Sequence, residues 1–197
     1  MLRRLYDWTM SLASGPRAPY ALGAVSFAES SFFPIPPDIL LIPMVIARRT
    51  KAFAYATIAT VSSVIGGAVG YAIGRIGCQL AGDGDYGVPT DLPWAMAYPD
   101  GVVPTLEKVH PAPVYETLLH LGIAGLLWGL RTRVSPPGAL FAFYLVLAGA
   151  ARLLVEFIRI NPRVLWGLSE AQLISIAMMV CGVILVVRLH TKNEKGS

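Results

Sequence analysis

The chain has 197 residues, of which 55% are hydrophobic and only 14% charged, with a formal net charge of +4. Soluble domains carry roughly 25% charged residues, so this balance excludes an ordinary soluble fold and points to an integral membrane protein. The basic residues are spread over segment ends instead of forming one patch. That excludes a nucleic-acid surface and fits retention of positive loops on the cytoplasmic side.

The N-terminal stretch up to Tyr20 is interrupted by Asp7, Pro16 and Arg17, and is not expected to be a signal peptide. Ala21 to Phe33 is largely apolar but contains Glu29. It runs into Pro34-Ile35-Pro36-Pro37-Asp38, then into a short apolar run from Ile39 to Ala47. Neither half spans a bilayer, and the prolines forbid one continuous helix. Broken backbone at membrane depth is tolerated only inside protein or beside a wet cavity. The expected structure is a re-entrant hairpin with Glu29 and Asp38 near its tip.

Arg48, Arg49 and Lys51 form a basic turn, and Phe53 to Ile73 is an uncharged transmembrane helix. Its Gly66, Gly67, Gly70 and Gly74 favour close helix packing. Gln79 to Pro111 is polar and rich in Gly and Pro, and reads as a structured loop. Pro113 to Leu130 is a second span carrying Glu116 and His120, closed by Arg131 and Arg133 before the Ser135-Pro136-Pro137-Gly138 turn. Gly138 to Ile158 is a third span, and it holds Arg152 and Glu156. Each of these two costs about 2.5–3.5 kcal/mol at the centre of a span. Their spacing puts them on one helix face, which must look into protein as a functional site or as a bundle-stabilising pair. Arg159 and Arg163 flank a short connector. Ser169 to Val187 is the last span, with Ser169 as N-cap, followed by Arg188, Lys192 and Lys195. The fold class is all-α, a polytopic membrane helix bundle with a re-entrant hairpin and a structured extracytoplasmic loop. Cys78 and Cys181 stand far apart without CxxC spacing, which suits neither a disulfide framework nor a zinc site.

Loop charges set the topology. The turn at 48–51, Arg131 with Arg133, and the C-terminal tail fall on one side, expected to be cytoplasmic. The acidic loop 79–111 falls outside. So does the 159–168 connector, against the charge rule because of its two arginines. Arg3 and Arg4 belong inside, which requires the first hydrophobic region to enter and return.

Several polar strings then converge on the outer leaflet: Gly74-Arg75-Ile76-Gly77, Gly82-Asp83-Gly84-Asp85-Tyr86-Gly87, His110-Pro111-Ala112-Pro113-Val114-Tyr115-Glu116, and Arg152 with Glu156. Guanidinium groups bind phosphate through paired hydrogen bonds, so this set suits a lipid headgroup. Arg75 has a second reading as a snorkelling helix end. Asp83 and Asp85 have one as braces of a Gly-rich turn.

From about Gly74 onward the chain resembles the C-terminal half of the prolipoprotein diacylglyceryl transferase family. The strings GRIGCQLAGDGDYG, TDLPWAM, VHPAPVYE, ARLLVEFIR and GLSEAQLISI carry the likeness. The resemblance implies transfer of a diacylglyceryl group from phosphatidylglycerol to the cysteine thiol of a lipoprotein precursor peptide. It implies that Arg75 and Arg152 correspond to essential arginines and Glu156 to a glutamate of the same site. The family often has Asn where Cys78 and Ala81 stand, and a glutamate near Asp83. Residues 1–74, with SFAESSFFPIPPDILLIPM and ATVSSVIGGAVGYAIGR, resemble the DedA (SNARE-associated, VTT) family of the YqaA-like type, which is linked to lipid handling. That likeness makes Glu29 and Asp38 candidates for a proton or ion relay, with hairpin stabilisation the alternative. The expected domains are 1–74, hairpin plus helix, and 75–197, with three transmembrane helices.

The family's His-Gly-Gly segment and its catalytic histidine have no counterpart here, which makes His110 the candidate general base and Glu116 a second option. Asp83, Tyr86, Gly87, Tyr115 and Glu116 are the expected substrate-binding residues. Neither cofactor nor metal is expected. The partners are phosphatidylglycerol, the lipoprotein precursor and membrane lipids, without nucleic acid, and the oligomeric state is open. The expected location is the bacterial inner membrane with a cytoplasmic C-terminus. Three classes stay open: the transferase, a DedA-like lipid or proton-coupled transporter, and a non-catalytic fusion remnant.

Overall fold

The computed structural model describes residues 17–32, 38–134 and 138–194. Arg3, Arg4, the prolines at 34, 36 and 37, the Ser135–Pro137 turn and Lys195 lie outside the described residues, as do the side chains of Asp38 and Lys192. Among the described residues, six α-helices in chain order are α1 (Ala18–Ser31), α2 (Asp38–Ala47), α3 (Ala52–Ala81), α4 (Ala112–Leu130), α5 (Ala139–Glu156) and α6 (Glu170–Glu194). Two small antiparallel hairpins complete the chain, β1 (Met96–Tyr98) with β2 (Thr105–Val109), and β3 (Arg163–Leu165) with β4 (Leu168–Ser169). The all-α membrane bundle is therefore the observed class. Among the described residues, three segments are long and apolar enough to cross a membrane: Arg49–Ala81, Ala139–Glu156 and Glu170–Thr191. The chain is a multi-pass membrane protein.

The two N-terminal helices are short. At 1.5 Å per residue, the 14 residues of α1 and 10 of α2 reach only about 21 and 15 Å, less than the ~30 Å hydrocarbon layer. Both pack on α3. Leu22, Leu40, Met44, Tyr55 and Ala59 form a buried cluster there. The Ser31 hydroxyl donates to Phe27 O (2.8 Å) and to Gly66 O on α3 (2.9 Å). A second cluster of Val64, Ile65, Ile123, Leu127, Leu140 and Ala151 joins α3, α4 and α5.

Helix α3 is longer than the apolar run predicts. It continues through Gly74 and Gly77 to Ala81, and ends where Gly82 adopts a left-handed conformation (φ 58°) with its N–H on Cys78 O (3.0 Å). An interior glycine costs a helix about 1 kcal/mol, too little to end one already packed on both sides. The two extra turns carry Arg75 out to the level of the loop. α4 runs antiparallel to α3: Thr117 Oγ1 donates to Ala72 O (3.3 Å), and Leu127 packs near Ile65. It is not among the three segments apolar enough to span on composition alone. Its Glu116 and His120 are buried inward, at 1% and 3% exposure, so their polarity faces the bundle and not lipid.

Of the four glycines expected to pack, two do. A Cβ on Gly66 would collide with the Phe27 carbonyl, and one on Gly70 would lie 2.6 Å from Ser31 O and 2.8 Å from its Cα. Gly67 and Gly74 have nothing within 4 Å. Gly70→Ala is therefore expected to destabilise the protein by about 1–3 kcal/mol, since backbone cannot move aside as a side chain does. Gly67→Ala should leave the melting temperature unchanged or slightly higher. Thermal melts of both variants in one detergent check this.

Candidate functional site

At the C-terminal end of α3, charged side chains from five segments meet. Arg75 comes from α3, Glu116 from the second turn of α4, and Arg152 and Glu156 from the last turns of α5. Arg159 follows just beyond α5, and Asp85 projects from the loop after α3. The Glu116 carboxylate is at the centre. Its Oε1 pairs with Arg152 Nη1 and lies 3.6 Å from Arg159 Nη1, and its Oε2 contacts Arg75 Nε. The Arg75 Nε–H is aimed at the Tyr71 hydroxyl (3.2 Å), so Oε2 keeps an ion-pair contact but no hydrogen bond. Asp85 bridges the outer edge, with Oδ2 on Arg75 Nη1 and Oδ1 on Arg159 Nη2. Glu156 accepts hydrogen bonds from Ser169 Oγ (2.6 Å) and Asn161 Nδ2 (2.5 Å), while its Oε2 is 3.7 Å from Arg152 Nη2. Three guanidinium groups thus face three carboxylates.

The surroundings lock these groups. Ser169 and Gln172 form a reciprocal capping box at the start of α6: Gln172 N–H donates to Ser169 Oγ (3.2 Å) and Ser169 N–H to Gln172 Oε1 (3.0 Å). The N-cap expected at Ser169 is present, and the same hydroxyl orients Glu156. Arg163 donates to Gln172 Oε1 (3.1 Å) and Gly167 O (3.2 Å). The loop is fastened by Gly87 N–H to His110 O and Val88 N–H to Ile158 O, both 2.8 Å. Asp83 Oδ1 accepts the Asp85 N–H (3.2 Å), bracing the turn that presents Asp85. Burial alone would raise the Asp85 carboxyl, but the Arg159 charge and the Arg75 hydrogen bond outweigh it and hold it below the ordinary carboxylate range.

Of the residues expected at the site, Arg75, Arg152, Glu156 and Glu116 are brought together. His110 is held apart from that network. Its Nδ1 is 3.1 Å from the Tyr115 hydroxyl, which accepts from Trp94 Nε1 (2.7 Å). The Tyr86 hydroxyl donates to Val103 O (2.8 Å) and its ring stacks on Tyr98, so it closes the loop. Glu29 accepts from the neighbouring Ser30 hydroxyl (3.0 Å) on α1, and Asp38 opens α2. Glu29 is not part of the ion-pair network among the described residues, and the side chain of Asp38 lies outside them. Sequence reading missed Arg159, Asn161 and the bridging role of Asp85. The available signal was the spacing of Arg152, Glu156 and Arg159, successive i+4 and i+3 steps along one face.

Cys78 Sγ and oxygens of Asp83 and Asp85 lie within 4.8 Å of one another. Both Asp85 oxygens already face guanidinium groups, which leaves a poor ligand set for a cation. A cavity of about 270 Å³ opens beside Glu156, lined by Asn161, Val164, Ser169 and Ile174. A larger one, about 1010 Å³, lies toward the other end of the bundle between α1 and α3, walled by Phe27, Ile58, Ile65 and Trp128. Its lining is mostly apolar, with Thr57, Ser62 and Arg131 among it, and it does not touch the charged network.

Comparison with known proteins decides the family. The model for prolipoprotein diacylglyceryl transferase matches residues 39–188, most of the chain. The chain belongs to the prolipoprotein diacylglyceryl transferase family. Among similar proteins, a phosphatidylglycerol–prolipoprotein diacylglyceryl transferase of Finegoldia magna is 38% identical over 130 residues, covering 66% of this chain and 50% of that protein. One of the same description from Bordetella avium is 33% identical over 163 residues, covering 80% of this chain and 60% of the relative. An uncharacterized protein of Haemophilus influenzae is 47% identical over 70 residues, 36% of each chain. The chain spans about half the length of the transferases it matches.

Two outcomes follow for this family member. A Cβ on Gly87 would lie 2.5 Å from Ile158 O and 2.9 Å from His110 Cβ. Gly87→Ala should therefore lift the loop from α5, separate Asp85 from Arg159, and lower the melting temperature. The lowered Asp85 carboxyl stabilises the fold above its ordinary value of 3.8, and that contribution is lost as pH falls through the lower folded value. The melting-temperature gap between wild type and Asp85→Asn should hold from about pH 5 to 8 and close under stronger acid.

Proposed function

We propose that this chain acts as a glycerolipid transferase, moving a diacylglyceryl group from phosphatidylglycerol to the cysteine thiol of a lipoprotein precursor. One observation carries the reading: guanidinium groups from α3, α5 and the segment after α5 meet around a single carboxylate. A lipid phosphate has the same charge sign as that carboxylate and offers more acceptor oxygens. Arg75 and Arg152 grip it, and Arg159 joins them. Paired hydrogen bonds from planar guanidinium groups fit a phosphodiester as lysine does not.

The chemistry needs this arrangement. A thiolate attacks the glyceryl carbon, the carbon–oxygen bond to phosphate breaks, and glycerol phosphate leaves with added negative charge. Preorganised arginines in a water-poor site stabilise that charge, and removing one such donor typically costs about 10²–10³ in rate. The named relatives support the choice of substrates. In this reading the charged site lies at the outer leaflet of the bacterial inner membrane. Arg49, Lys51, Arg131 and Arg133 mark the cytoplasmic end, and the C-terminus is cytoplasmic. The expected DedA-like segment 1–74 overlaps the transferase family match, which begins at residue 39, and its junction at 74/75 falls inside unbroken α3.

Complementation tests the reading. The wild-type chain should restore growth to cells depleted of their own transferase, and Arg152→Ala should not. Arg152→Lys should recover little, because a point charge cannot replace the planar fork. Failure of the well-expressed wild-type chain to rescue removes the enzymatic reading.

A further inference from the structure

We infer that Glu116 is the internal occupant of the arginine seat, and that a phosphate displacing it turns it into the proton acceptor for the incoming thiol. The inference rests on the proposed transferase reading and assigns the general base that reading lacks.

Charge balance raises the question. Arg75, Arg152 and Arg159 are matched by Glu116, Glu156 and Asp85, so the network is formally neutral. A neutral network has no net attraction for an anionic headgroup unless one carboxylate gives way. Asp85 sits at the partly exposed rim, held by two arginines. Glu156 is fastened by Ser169 and Asn161. Glu116 differs: among the described residues its carboxylate is held by the three arginines alone, without a neutral side chain to fasten it.

The arginine side is also incomplete. The Arg159 side chain is only 6% exposed, and its Nε and Nη1 have no hydrogen-bond partner. Buried unsatisfied donors are costly and point to an acceptor that belongs there. A phosphodiester supplies enough oxygens to engage Arg159 along with Arg75 and Arg152. The carboxylate does not.

Exchange changes Glu116 chemically. In the unliganded site both of its oxygens are taken up by contacts to the three guanidinium groups. Once the phosphate takes those donors, Glu116 is a buried carboxylate with fewer cationic partners and with Glu156 and Asp85 nearby. Its oxygens are then free to accept the thiol proton. The other groups facing it are Tyr71 and Arg75 on α3, His120 on its own helix, Arg152 on α5 and Arg159 beyond α5.

The step balances. The thiol S–H bond breaks and its proton goes to Glu116 Oε2. The thiolate electron pair forms the sulfur–carbon bond. The carbon–oxygen bond breaks with its pair on the phosphate oxygen, and glycerol phosphate departs with one more negative charge. Glu116 then gives its proton to water and pairs again with the arginines, which helps expel the product.

The test separates binding from turnover. Wild type and Glu116→Gln are placed in nanodiscs of zwitterionic lipid and titrated with phosphatidylglycerol, and transfer to a cysteine-containing peptide is measured on the same samples. Glu116→Gln removes the competing charge and is expected to bind phosphatidylglycerol about tenfold tighter, the equivalent of about 1.4 kcal/mol. Its transfer rate should fall by about 10²–10⁴. Weaker or unchanged lipid binding by Glu116→Gln overturns the inference, and so does transfer at the wild-type rate. If that variant does not fold, Glu116→Asp serves, since it keeps the charge on a shorter arm. Tighter lipid binding with slower transfer supports the inference, and wild-type affinity overturns it. A wild-type chain that transfers nothing counts against the transferase reading, while the binding arm still decides the exchange.

Discussion

The structure depends on one carboxylate held among guanidinium groups. Glu116 is 1% exposed at the meeting of α3, α4 and α5. Taking such charges out of water costs several kcal/mol per ion, and mutual attraction offsets that only in good geometry. Removing one partner strands the other, at roughly 3–5 kcal/mol. Each helix therefore needs the others to be in register. Apolar residues of similar volume would serve stability as well or better, so a buried network of this size argues for a chemical use.

The rest of the fold works to hold that meeting point. Gly66 and Gly70 let α1 lie directly on α3, which steadies the long helix whose last turns carry Arg75. On the other side, Gly149 and Gly182 allow α5 and α6 to touch: a Cβ on either would lie 2.8 Å from a backbone oxygen of the facing helix. That contact sets the N-terminus of α6, and with it Ser169, against Glu156. Gly87 does the same for the loop, where only a missing side chain lets the backbone reach Ile158 and bring Asp85 to Arg159. Close backbone approach is the shared device, as expected where helices gain little from burying apolar groups against each other in lipid.

What the sequence revealed follows from the range of each interaction. Local patterns were legible. The i, i+4 spacing of Arg152 and Glu156 identified a charged face, the prolines divided the first hydrophobic region into two short helices, and Ser169 read as a cap. The partner of Arg152 was not legible, because its tight contact is Glu116, 36 residues away on another helix. The intrahelical Glu156 contact at 3.7 Å is the looser one. The end of α3 was misjudged because the uncharged run stops short of Arg75, whereas the helix continues past that charge to Ala81. Arg159 went unrecognised because a loop arginine is ordinarily a topological charge.

That last point bears on orientation. The 159–168 connector carries two arginines on the side assigned to the exterior, which the charge rule disfavours. Arg159 is paired with Asp85 and buried, and Arg163 is bonded to Gln172 and Gly167. Both are engaged by protein groups once folded, and the connector between α5 and α6 has too few residues to hold them far from those partners. Their charge belongs to the site and not to the loop. Setting them aside leaves the exposed basic residues Arg49, Lys51, Arg131 and Arg133 at the opposite end of α3 and α4, where the apolar cavity between α1 and α3 also opens. The bundle is thus polarised, with exposed positive charge at one end and a neutralised, buried network at the other. Among the described residues, the guanidinium groups that converge on a single carboxylate are at the second end.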